Sequence, residues 1–393
     1  MTGGSRKTLL LSRRGALVGV LAMVLVVAAP PTGAMETLAR HALLMDTTTG
    51  AALFEKDADT PMAPASMSKM MTVYMIFERL RDGRLSLDDT FPVSENAWRK
   101  GGAKSGGSTM FLEPGTRVRV EDLLRGIIVQ SGNDACIVAA EGLSVNEDAF
   151  ANEMTFKARE IGLEDTVFKN ATGWPDPEHV TTARDLSILA ARTIEDFPEY
   201  YHYYADKNFT YNGIRQGNRN PLLYKDIGAD GLKTGHTADS GYGLAVSVVR
   251  GDRRLIVVVN GLPSVKARSR ESERMIEWGI REFKNYALFK RGETVTDVPI
   301  WLGESEVVGA YVEDDIVITL ARDVRRNMKV SVSYVGPVAA PVAAGDVIAT
   351  LSVTAPQMEP IERPLRAMAA VPRLGFFRRL GAALKSIMWG VSG

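Results

Sequence analysis

The most informative stretch of this chain is Ser66-Met67-Ser68-Lys69, which follows Pro64 and leads into the apolar run Met70 to Phe77. Because proline is favoured in the first helical turn, the sequence predicts a helix that begins at about residue 65 or 66. Residues three apart on a helix are neighbours, so Lys69 can reach the Ser66 hydroxyl and act as the base that this weak nucleophile needs. Alone, the same residues also suit a helix start with an exposed lysine, so further motifs must decide.

A second motif is Ser131-Gly132-Asn133, on the turn before a helix that begins near Asp134. Ser94-Glu95-Asn96 has the same pattern, but it lies in a charged stretch that is expected to be exposed. The Ser131 turn instead follows the apolar run Leu123 to Val129 and leads into an apolar helix, so we assign the motif to Ser131. Its hydroxyl can relay protons between lysines, and the Asn133 amide can bind a substrate carbonyl.

A third motif is Lys233-Thr234-Gly235, followed by His236, and it leads into a strand predicted over Tyr242 to Val249. This order predicts an edge strand that lines a cleft. Gly235 would let a substrate backbone lie close and pair with the strand, while Lys233 and Thr234 offer a cation and a hydroxyl suited to a carboxylate. If Lys233 lies near Lys69, like-charge repulsion should lower the pKa of Lys69.

Composition and charge limit the possible classes of function. Basic and acidic residues balance at 47 each, so no bulk charge points to nucleic acid. The lone Cys136 rules out an internal disulfide, and the four histidines are scattered without ligand spacing. We therefore expect neither a metal nor a cofactor.

Residues 1–34 have the pattern of an export signal. Four basic residues within the first 14 precede the apolar stretch Gly15 to Ala29, and Thr32-Gly33-Ala34 is a small-residue cleavage site. Ser12-Arg13-Arg14 leaves a twin-arginine route open beside the general secretory route, which we favour. The mature protein is therefore expected outside the cytoplasm.

Two domains are predicted after the signal, of which residues 35–288 form the first. Its elements are a hairpin from Leu43 to Phe54, mostly helical structure up to Phe197, the inner sheet strands Tyr242 to Val249 and Leu255 to Asn260, and a helix from Ser272 to Phe283. Residues 292–366 form the second, a small all-β sandwich, because their apolar runs are short and separated by turn residues. These runs are Ile316 to Leu320, Val330 to Tyr334 and Val347 to Val353. The sandwich carries no chemical motif, so we expect it to act as a spacer.

The tail, residues 371–393, predicts an amphipathic helix. Phe377, Leu380 and Leu384 share one face, whereas Arg378 and Lys385 project elsewhere. This combination favours a helix that lies on an anionic membrane surface and anchors the protein there. A terminal helix packed on the β domain and a disordered basic end are the alternatives.

The three motifs, in this order, resemble the penicillin-recognising serine enzymes. They are most similar to the low-molecular-mass D-alanyl-D-alanine carboxypeptidases of peptidase family S11. Further stretches look like family segments: Met110 to Gly115, Asn212 to Gln216, and Asp230 to Thr237. The resemblance implies an α+β fold. Its β-lactamase/transpeptidase-like catalytic domain would have an antiparallel sheet flanked by helices plus a helical subdomain, followed by a β stalk and a membrane anchor.

The resemblance also implies the chemistry. Ser66 would attack the carbonyl between the two D-alanines of a peptidoglycan stem peptide, with Lys69 as general base. Ser131 and Lys233 would pass the proton to the departing D-alanine, and water would then hydrolyse the acyl-enzyme. β-Lactam antibiotics would acylate the same serine.

Substrate binding follows from the same resemblance. The backbone N–H groups of Ser66 and His236 would form the oxyanion hole. Thr234 and Arg268 would hold the terminal carboxylate, with Arg270 as the alternative to Arg268. Asn133 and the Gly235 strand would hold the peptide backbone.

Three rival functions use the same residues: a β-lactamase, an endopeptidase that cuts cross-links, and a protein that binds cell-wall peptide without catalysis. The class A β-lactamase motif Glu-x-x-Leu-Asn does not fit Glu164 to Asn170. Asp176, His179 and Arg184 lie in a family-like stretch, and we expect them to brace a loop. The family more often has threonine where this chain has Ser68, and no functional consequence is expected.

Overall fold

The computed structural model describes residues 35–356, 358–376 and 378 of the 393-residue chain. The predicted export signal (1–34) and most of the predicted tail helix (371–393) lie outside the described residues. The described residues from Thr37 onward form one compact unit. In this part of the chain, no helix combines the length and the apolar character needed to cross a bilayer.

The described part of the chain alternates helices and strands. The helices are α1 (Lys69–Arg81), α2 (Glu95–Gly101), α3 (Val120–Arg125), α4 (Asn133–Leu143), α5 (Glu147–Glu160), α6 (Ala183–Asp196) and α7 (Val265–Glu282). The strands of the first domain are β1 (His41–Asp46), β2 (Ala52–Lys56), β3 (Thr90–Pro92), β4 (Arg117–Arg119), β5 (Asn208–Tyr211), β6 (Ile214–Gly217), β7 (Ala229–Thr237), β8 (Gly241–Arg250) and β9 (Arg253–Leu262). The later strands are β10 (Phe283–Phe289), β11 (Thr294–Trp301), β12 (Val307–Tyr311), β13 (Ile316–Ala321), β14 (Lys329–Ser333), β15 (Val338–Ala339), β16 (Val347–Thr354) and β17 (Ile361–Ala367).

An antiparallel sheet in the order β2-β1-β9-β8-β7 forms the centre of the first domain. The predicted hairpin is confirmed as the β1–β2 pair. Strands β8 and β9 lie inside the sheet, as their continuous apolar character predicts, and Leu255–Val259 are fully buried. Strand β7 forms one edge, so the Lys233-Thr234-Gly235 strand has a free side, as predicted.

Helices cover both faces of this sheet. Successive strand residues point to opposite faces, and Leu43 packs in the core that contains α1, whereas Leu44 lies against α7 at Gly279. Helix α1 is buried from Lys69 to Phe77, as the mostly apolar sequence of this stretch predicts. The predicted α+β class, with a flanked antiparallel sheet and a helical subdomain, is therefore confirmed.

Two helix starts differ from the sequence prediction. Helix α7 begins at Val265, seven residues before the predicted start, and its cap is Ser264, whose hydroxyl accepts from the Ala267 N–H at 3.1 Å. The first half of α7 buries polar residues such as Arg268, so apolar periodicity could not reveal it. The second difference is at the start of α1. A 3₁₀ turn covers Ala65–Ser68, and α1 itself begins at Lys69.

From the end of α7 to residue 375, the described chain is all-β apart from one 3₁₀ turn at Val324–Asn327. One sheet has the order β14-β16-β17-β12-β11-β15, and β10 pairs with β13. The predicted apolar runs correspond to β13, β14 and β16, and alternate residues such as Leu351 and Val353 are fully buried. Residues 283–288, which the predicted boundary assigns to the first domain, contribute most of β10.

Candidate active site

Ser66 and Lys69 meet as their spacing predicts. The Lys69 ammonium donates to Ser66 Oγ at 2.9 Å and to the Thr172 carbonyl at 2.5 Å. Lys69 has no exposed surface, and burial lowers its pKa to about 8. Ala65, immediately before the serine, has a left-handed φ of 48°, which costs a non-glycine residue about 1–3 kcal/mol. The turn that presents the hydroxyl is thus held by surrounding structure rather than by local preference.

The loop that carries Thr172 is organised by Asn170. The Asn170 side-chain oxygen accepts from the backbone N–H groups of Thr172, Gly173 and Trp174 at 2.7–3.1 Å. Gly173 has φ +79°, and an added Cβ there would lie 1.9 Å from the Ala65 carbonyl oxygen, so the loop packs directly on the turn that carries Ser66. The sequence did not predict the hydrogen bond from Lys69 to the Thr172 carbonyl, because any residue has a backbone carbonyl and an acceptor of this kind leaves no signature in the sequence.

Ser131 lies at the end of a π-helical turn over Gly126–Gln130 and has a left-handed φ of 65°. Its hydroxyl is buried and has no hydrogen-bond partner within the described chain, and the same holds for the side-chain oxygen of Asn133. Buried polar atoms are almost always paired in folded proteins, so two unpaired atoms in one turn indicate groups prepared for a ligand. The alternative, Ser94, caps α2 by accepting from the Ala97 N–H at 2.9 Å, and this agrees with the choice of Ser131.

Asp134 fixes the Ser131 turn, a role that the sequence did not reveal. Its fully buried carboxylate accepts from the Thr109 hydroxyl at 2.7 Å and from the backbone N–H groups of Met110 and Leu112 at 2.8 and 3.1 Å. These bonds tie residues 109–112 to the start of α4. Residues 109–112 are thereby held beside Ser131.

Lys233 projects from the edge strand into the same buried region. It is 3% exposed, and its ammonium donates to the Thr234 carbonyl at 3.1 Å. Burial, together with repulsion from Lys69 and Arg219, lowers the pKa of Lys233 well below its ordinary value. The sequence predicted that this repulsion would lower the pKa of Lys69. Instead, burial is the main cause at Lys69, and the neighbouring cation that adds to it is Arg219.

Gly235 brings the edge strand against the nucleophile. A Cβ at this position would lie 2.8 Å from the Pro64 carbonyl oxygen and 3.3 Å from the Ala65 Cβ. Only glycine therefore allows β7 to approach the Ser66 turn so closely. The sequence predicts that glycine is needed for a substrate backbone, whereas the close neighbour in the structure is the protein's own turn.

Arg268 and Arg270 differ sharply in their surroundings. Arg268 is 5% exposed, donates weakly to the Gly243 carbonyl at 3.4 Å, and leaves its Nε without a partner in the described residues. Burial lowers its pKa to about 10. Arg270 has a 61% exposed side chain that pairs with Glu271. The structure therefore favours Arg268 as the arginine of the site.

His236 and Tyr242 complete the edge beside Arg268. Their rings stack with centroids 4.0 Å apart, and the Arg268 guanidinium lies 5.8 Å from the centre of the Tyr242 ring. Thr234, between Lys233 and Gly235 on the same edge strand, is 5% exposed. The third motif and Arg268 thus lie on the same side of the site.

Arg219 is a further cation of the site, and none of the three motifs points to it. It donates to the Ser108 hydroxyl, and its charge lowers the pKa values of Lys69, Lys233 and Arg268. The hydrogen bonds described for these four cations all go to neutral oxygens. Lys69, Lys233 and Arg268 are buried, whereas Arg219 is exposed. A cluster of cations with neutral partners favours an anionic ligand.

His179 connects the Thr172 loop to the catalytic motif. It hydrogen-bonds Ser68 Oγ through Nε2 at 2.8 Å, and its Nδ1 accepts from the Lys169 N–H at 3.3 Å. Nε2 therefore carries the proton, and burial lowers the pKa of His179 to about 4. Arg184 forms ion pairs with Asp59 and Glu55. These contacts are those of bracing residues, as the sequence analysis expected. They also give the Ser68 hydroxyl a partner.

The described residues contain no group of three or more His, Cys, Asp or Glu side chains that could hold a metal ion. Cys136 is buried on α4, and burial raises the pKa of its thiol to about 12. A thiol that stays protonated is a poor nucleophile, so the candidate nucleophile in this region is Ser66.

Comparison with known proteins agrees with this geometry. The family model for D-alanyl-D-alanine carboxypeptidases matches residues 26–264. The chain belongs to this carboxypeptidase family. A second model, the C-terminal domain of penicillin-binding protein 5, matches residues 283–373.

Individual members of the family are similar over most of the chain. The D-alanyl-D-alanine carboxypeptidase DacC of Escherichia coli is 38% identical over 345 residues, which cover 87% of this chain and 86% of the relative. DacA of the same organism is 35% identical and covers 88% of this chain and 87% of the relative. The crystal structure of penicillin-binding protein 5 from Haemophilus influenzae has a TM-score of 0.78 at 34% identity, covering 88% of this chain and 99% of that one. Both domains therefore have counterparts in one known architecture.

Proposed function

We propose that this protein is a serine-type D-alanyl-D-alanine carboxypeptidase that removes the terminal D-alanine from peptidoglycan stem pentapeptides. The observation that carries the proposal is the 2.9 Å contact between Lys69 Nζ and Ser66 Oγ in a buried site where the pKa of Lys69 is lowered to about 8. A lysine with such a pKa is partly neutral near neutral pH and can accept the serine proton. Family membership and the names of the relatives support the substrate class.

Acylation of Ser66 would proceed in two steps, in which the hydroxyl first adds to the carbonyl and the C–N bond then breaks. Neutral Lys69 takes the Ser66 proton while Oγ attacks the carbonyl between the two D-alanines, and the carbonyl oxygen becomes an oxyanion. The N–H groups of Ser66 and His236 bind this oxyanion, and each such donor is worth about 3–4 kcal/mol. The C–N bond then breaks, and the proton that Lys69 took from Ser66 passes through Ser131 and Lys233 to the nitrogen of the leaving D-alanine, which leaves Lys69 neutral again.

The remaining site residues would position the substrate. Thr234 and Arg268 hold its terminal carboxylate, and Asn133 binds a backbone carbonyl. The unpaired buried atoms of Ser131, Asn133 and Arg268 support these assignments, because a bound peptide would supply the missing partners. Water then hydrolyses the ester on Ser66 and regenerates the enzyme.

Penicillins would acylate the same serine and leave it slowly. Class A β-lactamases release the penicilloyl group rapidly because a glutamate activates water next to the ester. Here Glu164 is exposed, and Asn170 is occupied by the loop hydrogen bonds to residues 172–174. We therefore expect a long-lived penicilloyl-enzyme rather than β-lactamase turnover.

A mass-spectrometric assay of D-alanine release from a stem pentapeptide, with and without penicillin, tests this function. Wild-type protein should release one D-alanine per peptide, and stoichiometric penicillin should stop the release. Ser131→Ala should lose most of the activity, whereas the matched variant Ser94→Ala, in the other Ser-x-Asn sequence, should keep it. Release that persists in Ser66→Ala would contradict the mechanism, and rapid hydrolysis of penicillin would favour a β-lactamase.

We also propose that the protein is exported and held at the outer face of the cytoplasmic membrane by its tail. The basic and apolar pattern of residues 1–34 and the amphipathic pattern of residues 371–393 support this location. Fractionation of cells that express the full chain should place it with membranes, and high salt should weaken the association. A version ending at residue 373 should become soluble in the periplasm. An unchanged membrane fraction would contradict the role of the tail.

A further inference from the structure

An asparagine of the central sheet contacts the backbone that leads to Ser66. Asn260 lies near the end of β9 and is 2% exposed. Its Nδ2 donates to the Ala63 carbonyl at 3.2 Å and lies 3.1 Å from Met62 Sδ. The amide therefore joins the sheet to the segment that precedes the nucleophile, and none of the three motifs includes this residue.

The direction of the Asn260 side chain follows from the alternation of β9. Successive residues of a strand point to opposite faces, and Ile256 and Val258 pack in the core that contains α1. Asn260 is the next residue of that row. At this level the sheet faces the irregular backbone of residues 61–64 instead of apolar side chains, so the amide meets a carbonyl that it can bind.

A β-bulge makes room for this amide. The pairing of β8 with β9 shifts register between Tyr242 and Leu244. Asn260 and Gly261 consequently stand opposite the single residue Gly243, and Gly261 has φ +78°, which suits glycine. An added Cβ at Gly243 would lie 2.7 Å from Asn260 Oδ1, so Gly243 leaves the space that the amide occupies.

The segment that Asn260 binds depends on tertiary contacts for its conformation. Residues 61–64 contain only an isolated bridge, in which Met62 and Thr181 exchange backbone hydrogen bonds at 2.7 and 3.0 Å. Among the described residues, no other side chain donates to the backbone of residues 61–65. Ala65 has a left-handed φ of 48°, a conformation that persists only where surrounding contacts enforce it.

A short and stiff path connects the Ala63 carbonyl to Ser66. The ring of Pro64 fixes its φ, which is −74°, so most of the rotational freedom along this path lies at Ala65. Once the Ala63 carbonyl is released, Ala65 can relax toward a negative φ. That rotation turns both the hydroxyl and the N–H of Ser66 away from their present directions.

We propose that Asn260 is a positioning residue for acylation: its amide holds the Ala63 carbonyl and so keeps Ser66 Oγ and the Ser66 N–H directed at the substrate carbonyl. The inference rests on the proposed function, because that function assigns the attack and the oxyanion contact to Ser66. Asn260 touches neither substrate nor the reacting atoms, and it acts through the turn.

Stopped-flow acylation by a fluorescent penicillin tests this role, because it separates binding from bond formation. Asn260→Leu removes the donor and keeps most of the side-chain volume. Asn260→Ala removes the donor without adding bulk against Met62 or Gly243. In both variants the limiting acylation rate constant should fall by about 10- to 100-fold, while the dissociation constant of the noncovalent complex changes by less than about twofold. The value of kcat/KM for D-alanine release should fall by the same factor.

Two controls separate positioning from loss of folded protein. The fraction of chains labelled after a long incubation counts the folded sites, and it should remain complete in both variants. Asn285→Ala removes a half-buried asparagine of β10 whose amide donates to Asp46 Oδ1 at 3.2 Å. This variant should lower the melting temperature without changing the limiting acylation rate constant.

The pH midpoint of acylation shows which group the substitutions affect. Lys69, with its pKa of about 8, sets this midpoint, and Asn260 contacts the turn rather than the lysine. The midpoint should therefore stay where it is in both variants. A midpoint that moves together with the rate constant would place the effect at Lys69 and overturn the inference.

The remaining outcomes separate this inference from the proposed function. A wild-type limiting rate constant in either variant, or a loss confined to the noncovalent dissociation constant or to the labelled fraction, would overturn the role of Asn260 and leave the carboxypeptidase activity intact. Absence of acylation and of D-alanine release in wild-type protein would contradict the proposed function instead.

Discussion

The pH dependence of Ser66 acylation follows from the burial of Lys69. Lys69 must be neutral to accept the serine proton, and its pKa in the free enzyme is lowered to about 8. The neutral fraction is then about one half at pH 8 and about 1% at pH 6. The second-order rate constant for acylation should therefore fall about fiftyfold between pH 8 and pH 6, and it should level off above pH 9. His179, with its pKa near 4, does not titrate within this range.

Substitution of Arg219 tests the cause of this pKa. The Arg219 charge disfavours protonated Lys69, so Arg219→Gln should raise the pKa of Lys69 and move the midpoint of the profile to higher pH. Because Arg219 could also help to bind an anionic substrate, the midpoint is the informative quantity and the plateau is not. Arg215→Gln removes an exposed arginine of β6 and should leave the midpoint unchanged.

The assay is stopped-flow or quenched-flow acylation by a chromogenic or fluorescent penicillin between pH 5.5 and 9.5. Each variant is also checked for an unchanged melting temperature at pH 7.5. A rate constant that does not vary between pH 6 and pH 9 would refute the role of Lys69 as base. A midpoint that moves to lower pH in Arg219→Gln would refute the electrostatic explanation.

Three further predictions concern the supports of the site. Gly235→Ala would place a Cβ 2.8 Å from the Pro64 carbonyl oxygen, so penicillin acylation should slow by about 10- to 100-fold, as stopped-flow rates would show. Asp134→Asn would place a donor against donors, and urea unfolding should show a loss of about 2–3 kcal/mol; an unchanged midpoint would contradict its anchoring role. His179 binds a proton in the unfolded state below about pH 6.5 but in the folded state only below about pH 4, so stability falls as pH drops between these values. Wild-type protein should lose about 2–3 kcal/mol more than His179→Gln between pH 7 and pH 4; equal losses would exclude this origin.

The features that could be predicted from the sequence lie in contiguous stretches. The Ser66–Lys69 contact depends on three-residue helical spacing, and the edge position of β7 depends on its order relative to two strongly apolar strands. Local rules of this kind act within a few residues. The choice of Ser131 over Ser94 also came from local context, namely the apolar runs on either side of the turn.

The features that could not be predicted depend on contacts between distant loops. Arg219, Asp134 and the Thr172 carbonyl reach the site from separate segments, and none belongs to a motif with an obvious chemical role. The sequence also could not show whether burial or repulsion from a neighbouring cation lowers the pKa of Lys69 more, because the burial of Lys69 is a property of the folded core. The early start of α7 was hidden for a related reason, since its first turns bury Arg268 rather than apolar side chains.

The position of the penicilloyl group on the chain tests most directly whether Ser66 is the nucleophile. Full-length protein is incubated with benzylpenicillin, digested, and mapped by tandem mass spectrometry. The adduct should lie on Ser66 in wild-type protein, and Ser66→Ala should carry none although it remains folded. An adduct on Ser131 or another serine, or full labelling of Ser66→Ala, would contradict the assignment of Ser66 as the nucleophile.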